Sequence, residues 1–185
     1  MYLLPMTMHK LHPDFDAAVE RILQLDHEGR VVFFMDKKYS SWTRILQERQ
    51  AKSISPSVRE RIVFAPWISD RHDFMRVIEA SDVVLDPFHF GIGTTAIATC
   101  SVGTPFVTRP SEYMRGRVGM YYCKLMDLME CVANGTEDYA NKAVAIAMIP
   151  SERQRIKVKM LENNHALFLN RLAIHDVVNF IQEVA

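Results

Sequence analysis

The feature that most restricts this sequence is a repeated alternation. Short apolar runs rich in β-branched and aromatic residues are each followed by a segment with helical spacing. Tyr2-Leu3-Leu4, Val31-Val32-Phe33-Phe34-Met35, Ile62-Val63-Phe64-Ala65, Val83-Val84-Leu85 and Pro105-Phe106-Val107-Thr108 read as strands. The unbroken run from Val31 to Met35 suits a strand buried on both faces. His12 to Gly29 places Phe15, Ala18, Val19, Ile22 and Leu25 on one helical stripe. Ser41 to Lys52 is expected to turn Trp42, Ile45 and Leu46 inward, and Asp70 to Ser81 carries Phe74, Val77 and Ile78. Thr94 to Val102, Glu112 to Met126 and Glu137 to Met148 read as further helices, with Glu130-Cys131-Val132-Ala133 a weaker candidate for a last strand. The tail 151–185 reads as one or two helices, with Leu167, Ile174, Val178 and Ile181 on one face. Such alternation implies an α/β fold: a parallel sheet, doubly wound with helices on both sides. No repeat, low-complexity tract or long linker interrupts it, so residues 1–185 are expected to form one domain with 151–185 as a helical tail.

Composition narrows the function. Twenty-two basic residues offset twenty-two acidic ones, which disfavours binding to nucleic acid by bulk charge. Hydrophobic residues make up 49% and charged ones 24%, enough for a core and unlike a disordered chain. Three cysteines without a C-x-x-C pair form neither a zinc knuckle nor a disulfide framework, and point to a reducing, cytoplasmic setting. No secretory signal is expected, because Pro5 and His9-Lys10 interrupt the apolar start. Pro87 to Thr108 contains no Asp, Glu, Lys or Arg, yet its prolines, glycines and threonines suit neither a helix in lipid nor any membrane role. His72, His89, His165 and His175 lack metal-ligand spacing, so no metal is expected. Neither a G-x-S-x-G elbow nor a P-loop is present, which disfavours the common α/β hydrolases and P-loop NTPases.

In open parallel sheets, ligands bind beyond the carboxyl ends of the strands. Three segments lie at such ends. Gly91-Ile92-Gly93-Thr94-Thr95-Ala96 opens a helix after the fourth strand. Glycines there let the backbone approach a phosphate, and a helix start offers free N–H groups at a positive dipole end. The same residues also read as a plain turn with Thr94 as N-cap, or as a weak G-x-G-x-x-A dinucleotide match set off from its strand by Pro87 to Phe90. Lys10, after the first strand, reads either as a diphosphate ligand or as a solvated lysine. From Ser69 to Arg76, Phe74 can stack on a base and Arg71 can meet a sugar hydroxyl, or Phe74 is core and Arg71 surface. Arg109, Arg115 and Arg117 can fringe an anion site.

In order, Lys10-Leu11-His12-Pro13-Asp14-Phe15-Asp16, Arg61-Ile62-Val63-Phe64, Ala80 through Gly91, Gly93-Thr94-Thr95, Gly103 through Thr108 and Pro110 through Val118 resemble the C-terminal half of the protein O-linked N-acetylglucosamine transferases and their SPINDLY-related bacterial relatives. The resemblance runs from about Tyr2 to Phe180 and is strongest from Ile62 to Val118. It implies a Rossmann-like domain, the C-terminal half of a two-domain GT-B glycosyltransferase, holding a UDP-N-acetylglucosamine-like donor without a metal or other cofactor. By position, Lys10 matches a catalytic lysine on the diphosphate, and Thr94 and Thr95 match a phosphate-binding pair. Ser69 falls where a backbone group meets uracil, Arg71 near the ribose, and Phe74 on the uracil face. Gly91 and Gly93 complete the donor-binding set. Gly93 stands where the best-known members have a histidine, and Ala98 where the pattern has an acid on the ribose hydroxyls. Losing that carboxylate bond costs on the order of 1.5–3 kcal/mol.

The expected partners are a nucleotide sugar, an N-terminal glycosyltransferase half that this sequence lacks, and an acceptor protein. A non-catalytic nucleotide-sugar or partner-binding module is the alternative, with a nicotinamide-dependent oxidoreductase behind it. Apolar Leu167, Leu169 and Ile174 in the tail make a homo-oligomer through the C-terminal helices a further expectation.

Overall fold

The computed structural model describes residues 1–168 and 171–184. Five strands, β1 (Tyr2–Leu4), β2 (Val31–Phe34), β3 (Ile62–Ala65), β4 (Val83–Leu85) and β5 (Phe106–Val107), form one parallel sheet in the order β3-β2-β1-β4-β5. The connecting helices are α1 (Asp14–Leu25), α2 (Ser40–Ser53), α3 (Pro56–Arg59), α4 (Arg71–Ala80) and α5 (Thr94–Val102). After β5 come α6 (Val118–Leu125), α7 (Thr136–Met148), α8 (Pro150–Asn163), α9 (His165–Phe168) and α10 (Arg171–Val184).

Right-handed crossovers place α1, α2 and α3 on one face and α4 and α5 on the other. Packing agrees: α1 lies against α7, and α4 against α5. The central strands β1, β2 and β4 are buried along their whole length, which is why their sequences carry no alternation. Register pairs Tyr2 with both Val31 and Val83, so β1 sits at the centre of the sheet. The core is aromatic on the α1–α7 side, where Phe15, Phe88 and Tyr139 meet edge to face with centroids 5.1–5.9 Å apart. Arg49 of α2 joins this layer to the loop after β1. Its guanidinium grips the buried carboxylate of Asp16 at 2.8 and 2.9 Å and donates to the Leu11 carbonyl at 2.7 Å.

The doubly wound parallel sheet expected from the alternation is present. Several local expectations are corrected. Ile45 is 56% exposed, because α2 turns only Thr43, Leu46 and Gln50 fully inward and holds Trp42 half-buried. Glu130 to Ala133 is no strand: Met129–Cys131 is a 3-10 turn, and a single parallel bridge joins Thr108 to Val132. Strand β5 ends at Val107, and Pro110 just beyond has no N–H to extend a ladder. Glu112 to Met126 splits into a 3-10 turn, Met114–Gly116, and α6. Among the described residues the tail forms three helices rather than one or two. Ile174, Val178 and Ile181 share an exposed face of α10, whereas Leu167 is half-buried against the core and Leu169 lies outside the described residues. Among the described residues no helix is long and apolar enough to cross a membrane.

Candidate functional site: a cradle at the strand-order switch

The strand order reverses between β1 and β4, because the chain leaves β1 toward β2 and leaves β4 toward β5. Loops from these two strands therefore diverge and open a crevice at the carboxyl edge of the sheet. Lys10 follows β1 and Gly91 follows β4. The Lys10 ammonium crosses that divide and donates to the Gly91 carbonyl at 3.1 Å, with its Nζ 4.4 Å from the centre of the Phe90 ring. Partial burial lowers the Lys10 pKa from its ordinary value, and the nearby charge of Asp86 opposes that shift. The same residue lines a hollow of about 280 Å³ shared with His9, His12, Phe88, His89 and Arg115.

Helix α5 starts next to this turn. Gly93 precedes it with no side-chain cap, and among the described residues the amides of Thr94 and Thr95 donate to no protein acceptor. Free N–H groups and the positive end of the helix dipole therefore face outward, a ready anion site. Thr94 and Thr95 line a second hollow of about 430 Å³, whose other walls include Arg71, Phe74, Ala98 and Phe168. The Phe74 ring is half-buried and packs on Phe34 with centroids 6.0 Å apart, so it serves the core and also presents an edge of the hollow. A Cβ added at Gly93 would meet nothing within 4 Å.

Arg71, Phe74, Thr94 and Thr95 are thus gathered around one cavity. Lys10 and Gly91 meet beside it across the strand switch. Ser69 stands apart, in a hollow lined by Met35, Asp36, Lys37 and Trp67 at the ends of β2 and β3. Gly91 is buried, its N–H donated to Arg115 and its carbonyl taken by Lys10, so it shapes the turn rather than offering a free amide. Of the fringe arginines, Arg109 stacks on Phe88 at 4.5 Å and Arg115 on Tyr113 at 4.6 Å.

One residue of the site escaped sequence reasoning. Asp86, directly after β4, is only 2% exposed. Its carboxylate accepts the Ile92 N–H and, at 2.6 Å, the Thr108 hydroxyl, while its carbonyl accepts the Tyr139 hydroxyl at 3.0 Å. A Cβ on Gly91 would lie 2.8 Å from an Asp86 oxygen, so glycine is needed for the turn to close over this carboxylate. Desolvation pushes the Asp86 carboxyl up to about 7, against the opposing pull of Thr108, Ile92 and the Lys10 charge. The available signal was a lone acid ending a strand just before the uncharged run.

Comparison with known proteins gives the family and the fold. The family model described as glycosyl transferase family 41 matches residues 9–177. A probable UDP-N-acetylglucosamine–peptide N-acetylglucosaminyltransferase SPINDLY from Petunia hybrida is 25% identical over 103 residues, 56% of this chain and 11% of that protein. The chain thus spans about a tenth of the length of such curated relatives. A mutant O-GlcNAc transferase from Thermobaculum terrenum superposes with a TM-score of 0.78 at 17% identity, over all of this chain and 37% of its own. A UDP-forming α,α-trehalose-phosphate synthase from Burkholderia vietnamiensis gives 0.58 at 16% identity, over 96% of this chain and 45% of its own. The sheet is that of a GT-B glycosyltransferase domain, and with the family model covering nearly the whole sequence, the chain belongs to glycosyl transferase family 41.

Proposed function

We propose that this chain is the donor-binding domain of a glycosyltransferase that uses a UDP-N-acetylglucosamine-like nucleotide sugar and transfers the sugar to a protein. The observation that carries this reading is the Lys10 ammonium lying 3.1 Å from Gly91 across the strand switch, beside the uncapped start of α5. When the bond from sugar to diphosphate breaks, negative charge grows on the departing UDP. A fixed ammonium and preset amides stabilise that charge more in the transition state than in the ground state. Lys10 is the catalytic residue in this scheme, and the leaving group is held without a metal. Thr94 and Thr95 hold phosphate oxygens, Phe74 and Arg71 hold the nucleoside, the Ser69 backbone reaches the uracil edge from its separate hollow, and Gly91 and Gly93 keep the turn low enough for approach. The exposed apolar face of α10, with Ile174, Val178 and Ile181, is the surface for an N-terminal glycosyltransferase half, and for self-association where that half is absent. A cytoplasmic location fits three buried, unpaired thiols.

Calorimetric titration of the purified chain with UDP tests the reading. Saturable heat is expected, with UDP binding more tightly than uridine. No heat at millimolar UDP overturns it, and saturation by NADH beside a flat UDP titration replaces it with a nicotinamide-binding role.

A further inference from the structure

Two neighbouring side chains that can ligate a metal, His12 and Asp14, meet a remote third, His89, at the rim of the Lys10 hollow. His12 lies in the loop before α1, Asp14 is the first residue of α1, and His89 lies 75 residues further on, in the loop after β4. One ligand atom from each falls within 4.8 Å of the other two. His89 Nε2 is 2.9 Å from Asp14 Oδ2, and His12 Nδ1 is 3.4 Å from Asp14 Oδ1. The imidazole rings meet edge to face with centroids 4.7 Å apart.

We propose that His12, Asp14 and His89 form a binding site for a divalent transition-metal cation, with Zn²⁺ the ion best matched to two imidazoles and one carboxylate. Metal–ligand bonds of about 2.0–2.1 Å in a tetrahedron put neighbouring ligand atoms roughly 3.4 Å apart. The cluster already brackets that spacing, so small side-chain rotations close it around an ion. His12 Nδ1 accepts the Asp14 backbone N–H at 3.2 Å, a long contact that a metal can replace at the same nitrogen. His89 is held at φ 65°, a left-handed conformation uncommon outside glycine, in the loop that aims its ring at Asp14. His12 and His89 also line the hollow that holds Lys10 and Arg115. Three protein ligands leave a coordination position open, and a cation there adds positive charge to the wall of that hollow. The three cysteines are buried in the folded chain and do not compete for the metal.

The site stands independently of the donor reading. Its test is titration of the folded, metal-stripped chain with Zn²⁺ by calorimetry and with Co²⁺ by visible absorption. The variants are His12→Asn, Asp14→Asn and His89→Asn. Asparagine can accept the Asp14 amide as a helix cap, and it tolerates positive φ at 89. Thermal unfolding without metal confirms that each variant is folded, so that one failing variant leaves the other two informative. The expected result is one Zn²⁺ per wild-type chain in the micromolar range, a Co²⁺ absorption band, and a dissociation constant raised at least tenfold in each folded variant. Wild-type affinity in all folded variants, or no saturable Zn²⁺ binding by the wild type, overturns the proposal. UDP titration in the presence of EDTA reads the donor site separately: UDP binding there with no Zn²⁺ site sinks this inference alone.

Discussion

Replacing Lys10 by alanine lowers the affinity for UDP by about 10- to 100-fold and leaves uridine binding unchanged. Hydrogen bonds to charged groups contribute roughly 1.5–3 kcal/mol, and the alanine removes one that only the diphosphate can use. The Lys10 side chain also rests on the Phe90 ring and donates to Gly91, so the variant leaves one carbonyl unpaired at a half-exposed rim. That loss is small beside the ligand effect, because water can reach the carbonyl. Calorimetry with both ligands separates the two: equal losses for UDP and uridine would show that Lys10 supports the fold of the pocket rather than the phosphates. In a transferase assay with the remaining half supplied, the loss falls on kcat as well as on KM, since the charge that Lys10 meets is largest in the transition state.

Asp86 controls the second large effect, through pH. In the unfolded chain its carboxyl ionises near pH 4, whereas in the folded chain desolvation holds the proton up to about 7. The folded state therefore binds the proton more tightly, and the resulting stabilisation is complete below about pH 4 and lost as the pH rises through 7. A difference of three units corresponds to about 4 kcal/mol across that window. Asp86→Asn is permanently neutral and keeps an oxygen for the Ile92 N–H, while the Thr108 hydroxyl can reverse to accept from the new amide. Denaturant unfolding should find the variant close to wild type near pH 4 and increasingly more stable than wild type from there to pH 8. Parallel pH profiles for the two proteins would remove Asp86 from this role. Asp86→Ala, by contrast, strands the Ile92 N–H and the Thr108 hydroxyl at every pH and should cost about 2–5 kcal/mol, loosening the turn that carries Gly91.

Much of the sheet was legible because its signals are local. Tyr2–Leu4, Ile62–Ala65, Val83–Leu85 and Thr94–Val102 have the bounds their residues imply, since short apolar β-rich runs mark the strands and Gly93 and Gly103 punctuate α5. Gly103 sits at φ 73°, the left-handed cap that glycine supplies most cheaply. Helix α3 was missed because four residues are too few to show a period. The Glu130 to Ala133 segment looked like a strand because apolar residues in a tight turn share that composition.

The site was legible in part. Lys10 and the Gly91 to Thr95 turn carry chemistry in their residue types, but their meeting across 81 residues follows from strand order, which no single segment encodes. Asp86 acts through burial, and burial belongs to the folded whole. His89 illustrates the same point: its spacing from His72, His165 and His175 suggested no metal, whereas the fold sets it beside His12 and Asp14.

A crystal structure of the chain with UDP examines the central claim most directly. The account predicts the diphosphate within hydrogen-bonding distance of Lys10 Nζ and the amides of Thr94 and Thr95, with the uracil against Phe74. A nucleotide bound elsewhere, or a diphosphate distant from α5 while Lys10 stays on the Gly91 carbonyl, would contradict it.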